Sequence, residues 1–161
     1  MNELSKLGKS FGYAVRGLLW AIKTQRNLRI HLTALVTVLY GAWLEGLGGG
    51  ELCLELLCCM AVISLELMNS ALEQICDAVT LERHPRIGHA KDAAAGAVLV
   101  SAVGSVAVAL VILIGGGHWG TLRGHLMEQP WTGLILLMIL LLGAGFVFLP
   151  GRRSHTKDQK K

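Results

Sequence analysis

Four long apolar runs restrict what this chain can fold into more than any other feature it has. They occupy residues 30–44, residues 52–65 with a polar-striped continuation to 79, residues 93–114 and residues 131–149. A helix rising about 1.5 Å per residue needs about 20 residues to cross a hydrocarbon core of about 30 Å. In lipid every backbone polar group must be satisfied internally, and runs of this length without strand alternation predict helices. With 53% hydrophobic and 16% charged residues, the 161-residue chain has the composition of a membrane protein, not of a soluble domain. The expected fold is all-α, a multi-span membrane helical bundle. It divides into an amphipathic surface helix at 1–29, a three-span core at 30–114, an outer loop at 115–130, an additional transmembrane helix at 131–149 and a basic tail at 150–161. The first run is short, so Arg29 is expected to snorkel from its end.

Basic residues orient the bundle. Lys6, Lys9, Arg16, Lys23, Arg26 and Arg29 precede the first run, Arg83, Arg86 and Lys91 separate the second from the third, and five more follow the fourth. Only Arg123 falls in the connections on the other side. By the positive-inside rule the N-terminus, the connection around residues 80–92 and the tail are cytoplasmic, on the side that holds ATP. The net charge of +4 reflects this asymmetry and gives no reason to expect nucleic acid as a partner.

The remaining local signals are mostly structural. Leu4, Leu7, Phe11, Val15, Leu18 and Ile22 recur three or four apart among Lys and Arg, the pattern of a helix lying in the membrane interface. No cleavable signal is expected there. Gly8, Gly12 and Gly17 could mark bends or close approaches. Cys53, Cys58, Cys59 and Cys76 share one helix, have no CxxC pair or zinc-spaced His, and read as small buried hydrophobes. The glycines at 46–50 lack the Lys-Ser/Thr of a phosphate loop and read as a turn. Ala97, Ser101 and Ser105 form a small-xxx-small series for close helix packing. His118, Arg123 and His125 read as solvated loop residues.

One stretch carries chemistry. Glu66, Asn69, Glu73 and Asp77 stand at i, i+3, i+7 and i+11, which puts three carboxylates and an amide on one helical stripe opposite Leu65, Leu67, Met68, Leu72 and Ile75. After a break at His84-Pro85, the next helix is expected to open with Lys91 and Asp92, where the helix dipole favours the acid. Acids beside a membrane segment are costly unless paired, hydrated or metal-bound, so such a stripe is functional by default, with packing as the bland alternative. Mg²⁺ takes one or two protein carboxylates and completes its shell with water and substrate phosphates. A lysine neutralises phosphate, and a further carboxylate can take the proton of an attacking hydroxyl. These are the parts of a phosphoryl-transfer site, although no Walker A or protein-kinase signature is present.

The runs KSFGYAVRGLLWA, RNLRIHL, LELMNSALE and HAKDAAAGAVLVSA resemble the small prokaryotic membrane kinases that include diacylglycerol kinase and undecaprenol kinase. The resemblance spans about residues 6–114. It implies a homotrimer in the bacterial inner membrane, with active sites between subunits, that uses ATP and Mg²⁺ to phosphorylate a lipid hydroxyl at the cytoplasmic surface. It implies Glu66 as the catalytic base meeting the lipid substrate, with Ala95 beside the lipid, Glu73 as a metal ligand, and Asn69 and Asp77 in support. It places Glu82, Arg83, His84, Lys91 and Asp92 around ATP, with Tyr13 and Lys6 from the surface helix. Where family members carry a second metal-binding Glu, this chain has Gln25, whose carbonyl can coordinate metal without bringing charge. RNLRIH and the AKDAAAGAVL segment are more similar to the undecaprenol-preferring branch, with diacylglycerol as the alternative substrate. The span beyond residue 114 is an addition to the usual core. Together with Gln25, it motivates a reading of another class, a non-catalytic membrane partner that keeps the stripe for packing. An ion carrier would need acids along a whole span, and the third run has none past Asp92.

Overall fold

The computed structural model describes residues 3–79 and 84–150. The chain forms α1 (Glu3–Thr24), α2 (Arg26–Glu45), α3 (Gly49–Val79), α4 (Pro85–Leu110) with a π-helical extension (Val111–Gly115), α5 (Trp119–Glu128) and α6 (Pro130–Phe148). No strand occurs among the described residues.

α1 runs unbroken through Gly8, Gly12 and Gly17, whose Cβ positions are open, so these glycines mark neither bends nor close approaches within the chain. Its apolar side, including Leu4, Leu7, Phe11 and Val15, is exposed, as an interfacial helix requires. At its other end Ala21 is buried together with Leu28 of α2 and Ile63 of α3, and Trp20, Ile22, Leu32, Leu35 and Leu67 pack around them. Between Ala21 and Leu28 the chain turns at Gln25, whose backbone is extended (φ −98°, ψ 111°). This elbow fixes α1 against the α2–α3 pair.

α2 stops at Gly46 because the backbone there turns left-handed, at φ 67°. The amide of Gly46 donates to the Trp43 carbonyl and that of Leu47 to the Ala42 carbonyl, the paired bonds of a Schellman cap. α3 then runs back for 31 residues, about 46 Å at the usual helical rise. That exceeds a hydrocarbon core by about ten residues, so the helix is long enough for its polar C-terminal part to stand outside the apolar layer.

α4 begins earlier than the sequence predicts. Pro85 occupies its first turn, where a missing amide costs nothing, and the His84 carbonyl accepts from the amides of Ile87 and Gly88. Lys91 and Asp92 therefore lie well inside the helix, and the dipole argument for Asp92 does not apply. α4 packs along α3, with the Ser105 hydroxyl 2.9 Å from the Ser101 carbonyl and 3.4 Å from the Cys58 carbonyl. Ser105 of the small-residue series thus faces α3, Ser101 is half-buried, and Ala97 is exposed. Leu99, Val100, Val103 and Val106 remain exposed on other sides. Cys76 is buried as expected, Cys58 and Cys59 are half-buried, and Cys53 is exposed; all four are free.

The segment expected as an outer loop contains α5. His118 is half-buried rather than solvated: its Nδ1 lies 3.1 Å from the Glu45 carbonyl and its Nε2 3.0 Å from Glu51 Oε1. Gly116 permits this fold-back, since a Cβ there would lie 2.5 Å from the Ile112 carbonyl and 2.8 Å from the His118 ring. The His125 ring lies 5.9 Å from that of Trp43, and Trp131 lies 6.5 Å from Trp43 on the same side.

α6 packs along α2 and is fastened at both ends. Tyr40 donates to the Thr132 carbonyl at 2.9 Å, and Arg29 Nη1 donates to the carbonyls of Phe146 and Leu149 at 3.1 and 2.7 Å. Between them a Cβ on Gly143 would stand 2.1 Å from the Thr33 methyl, so the two backbones approach where the side chain is absent. Arg29 is 4% exposed. It therefore does not snorkel as the sequence suggested but caps the carbonyl end of a distant helix.

Pro85–Gly115 and Pro130–Phe148 are each long and apolar enough to cross a membrane, with only 11% and 6% of their apolar windows buried. Helices in the core of a soluble protein would be covered far more.

The His118–Glu51 pair makes the end of the bundle away from the α1–α2 elbow pH-dependent. The hydrogen bond to Glu51 raises the His118 pKa above its ordinary 6.5, so its stabilisation is complete below 6.5 and is lost as pH rises through the folded value. The bonds from His118 and the Gly48 amide lower the Glu51 pKa below 4.5, so its contribution is present above 4.5 and is lost as pH falls through the folded value. Thermal unfolding in detergent should show this pair contributing most between those two values. His118→Gln should flatten the alkaline side of the profile, and an unchanged profile would show that the pair carries no pH dependence.

Candidate functional site

The stripe on α3 is present, and it is unevenly buried. Glu66 is 3% exposed, Asn69 and Ser70 are buried beside it, Glu73 is half-buried and Asp77 is exposed. α3 supplies the spacing, because four acceptors at three- and four-residue intervals stay on one side over about three turns. The α1–α2 elbow covers the upstream part of this helix, through Leu28 against Ile63 with Leu67 packed alongside.

Within the stripe, Asn69 Nδ2 donates to Glu73 Oε1 at 3.3 Å. The Asn69 Oδ1 is buried and accepts no hydrogen bond. Glu66 makes no hydrogen bond or ion pair with any described residue. An acid and an amide oxygen left without donors in a buried position are expensive in a purely structural role. Such oxygens match a hard cation or a substrate hydroxyl.

Lys91 joins the stripe from α4. Its Nζ lies 2.5 Å from Asp77 Oδ1, with the two side chains 34% and 58% exposed. A pair so open to solvent adds little to stability, too little to be the reason for placing both charges there. Asp77 instead holds the ammonium at the open end of the α3–α4 seam. His84 is exposed at the start of α4, and Asp92 and Ala95 are exposed on the same helix.

The other residues singled out in the sequence are not drawn into this seam by a single chain. Lys6 pairs with Glu3 at 2.8 Å on the free half of α1. Tyr13 is exposed, with the Arg16 guanidinium 4.7 Å from its ring centroid. Gln25 lies at the elbow, half-buried and without a side-chain capping bond. Glu82 and Arg83 lie outside the described residues. No group of three or more His, Cys, Asp and Glu side chains that could hold a metal ion occurs among the described residues. The oxygens of Glu73 and Asn69 nevertheless suit Mg²⁺, which draws most of its shell from water and phosphates. Sequence reasoning missed Arg29 and His118, whose partners lie 117 and 73 residues away.

The profile of prokaryotic diacylglycerol kinase matches residues 12–113. The chain is 41% identical over 113 residues to undecaprenol kinase of Bacillus subtilis, covering 70% of this chain and 92% of that protein. It is 39% identical over 106 residues to a diacylglycerol kinase of Synechocystis, covering 65% of this chain and 61% of the relative. A diacylglycerol kinase of Pseudomonas aeruginosa is 31% identical over 112 residues, covering 70% and 91%. No solved structure matches the chain at a significant level. The matched region runs from the middle of α1 to the π-helical end of α4 and contains the elbow, the stripe and Lys91, while α5 and α6 lie beyond it. The chain belongs to the prokaryotic diacylglycerol kinase family.

Proposed function

We propose that this protein is an ATP-dependent lipid kinase that phosphorylates undecaprenol to undecaprenyl phosphate. The observation that carries the chemistry is Glu66, a carboxylate 3% exposed with no cation or donor beside it, on the helix that faces Lys91 of α4. The match to undecaprenol kinase over 92% of its length favours the polyprenol over diacylglycerol.

In the proposed reaction Glu66 accepts the proton of the lipid hydroxyl as its oxygen attacks the γ-phosphorus of ATP. The new bond joins that oxygen to phosphorus, the bond to the β-phosphate oxygen breaks, and ADP leaves. Asn69 holds Glu73 in place through its amide. Asp77 holds Lys91 where its charge can meet the transferring phosphate. Mg²⁺, when bound by Glu73 with Gln25 as a neutral second donor, neutralises charge on the phosphates. Asp92 and His84, with Glu82 and Arg83, belong to the ATP side, and Ala95 gives the lipid a flat wall on α4.

The seam is open in one chain, and Lys6, Tyr13 and the apolar face of α1 stand free of it. A homotrimer, in which α1 of one subunit reaches the seam of another, accounts for both. α2, α3, α4 and α6 cross the inner membrane, with the N-terminus and the open end of the seam in the cytoplasm.

Purified protein given labelled ATP, Mg²⁺ and a panel of lipid alcohols should label undecaprenol best, as read by thin-layer separation. Glu66→Gln should lose turnover by about 10²-fold or more while its melting temperature and assembly are kept. Full activity in that variant would remove Glu66 as the base, and no labelled lipid from any alcohol would favour the non-catalytic partner. Gln25→Glu should lower the Mg²⁺ concentration needed for half-maximal activity several-fold, whereas an unchanged Mg²⁺ dependence would take Gln25 out of the metal site.

A further inference from the structure

α6 builds a cleft that the matched family region cannot form by itself. The cleft has a volume of about 300 Å³ and is lined by Ile22 and Lys23 from the end of α1, Arg29 from α2, and Phe146, Leu149 and Pro150 from the end of α6. It shares no lining residue with the stripe or with Lys91.

Its chemistry is that of an amphiphile with a negative head. Two of the six lining side chains are cations and none is an acid. Lys23 is exposed, while Arg29 is 96% buried, the complement of its 4% exposure. Arg29 spends Nη1 on the carbonyls of Phe146 and Leu149, but its Nε–H is buried without an acceptor. A guanidinium held in place by two carbonyls, lining the same cleft as a second cation, matches a phosphate. The other walls, Ile22, Phe146 and Leu149, continue the apolar surface of α6, which suits an acyl chain and gives a free inorganic anion nothing to bury. Arg26 stands 5.7 Å from the Phe148 ring centroid at the same end of α6 and adds positive potential nearby.

We infer that this cleft is a binding site for an anionic phospholipid of the surrounding leaflet, its phosphate held between the Lys23 and Arg29 cations and its chain lying along Phe146 and Leu149. The bound lipid joins the end of α1 to α6 across Arg29. It binds whether or not the protein transfers phosphate, so the inference stands apart from the kinase reading.

The full-length protein, purified in detergent, is mixed with phosphatidylglycerol or phosphatidylcholine, and retained lipid is counted by native mass spectrometry. The expected result is one tightly held phosphatidylglycerol per chain, with phosphatidylcholine held far less. Lys23→Gln, at an exposed position, should weaken phosphatidylglycerol retention about fivefold, the effect of one cation near an anionic surface. Arg29→Lys, which keeps the charge and removes the planar guanidinium, should weaken it as well, while Arg123→Gln at the opposite end of the bundle should not. Equal retention of both lipids, or wild-type retention in both cleft variants, would overturn the proposal. Displacement of the lipid by millimolar inorganic phosphate would also overturn it, because the cleft would then read phosphate alone.

Discussion

The cost of keeping a carboxylate out of water without a partner is the constraint on which the rest of this structure depends. Glu66 is 3% exposed on α3 with no donor or cation among the described residues, and the buried amide oxygen of Asn69, three residues on, accepts no hydrogen bond. Toward the end of the helix the polar groups are answered, since Asn69 donates to Glu73 and Asp77 meets Lys91, while Glu55 further up is a second buried carboxylate, 5% exposed, without a partner among the described residues. The oxygens of Glu66 and Asn69 fall between the apolar body of α3 and its polar end. Stability alone does not explain that placement, since apolar side chains of similar size would pack there at lower cost.

The other helices hold that position. The Ala21–Leu28–Ile63 cluster ties the elbow to α3, and α4 follows α3 closely through its small residues. α6 acts at one remove: it clamps α2 through Tyr40 at one end and Arg29 at the other, and α2 carries the elbow. A helix outside the family region thus braces the element that positions Gln25, without touching the stripe.

Much of this was legible in the sequence because it follows from local periodicity. Apolar runs gave α2, α3, α4 and α6, the i, i+3, i+7, i+11 spacing gave the stripe, and Gly46 gave the turn. What escaped depends on distant partners or on chemistry that reads two ways. His84-Pro85 looked like a break, but proline also starts helices, and α4 begins there. α5 has glycines at 120 and 124 and weak periodicity, and the segment around it is anchored to α2 by His118 and by the tilted contact of the His125 ring with Trp43. Arg29 at the end of an apolar run has the pattern of a snorkelling residue, and only the return of α6 supplies the carbonyls that bury it. Lys6 and Tyr13 join the site by family resemblance alone, and within one chain they stay on the free part of α1.

For Glu66 and Lys91 to meet ATP, the open end of the α3–α4 seam has to lie on the nucleotide side of the membrane. Replacing the four native cysteines and placing a single cysteine at His84 allows this to be measured with a membrane-impermeant maleimide. The account predicts labelling in inside-out vesicles and none in intact cells; labelling in intact cells would put the seam away from ATP and contradict it.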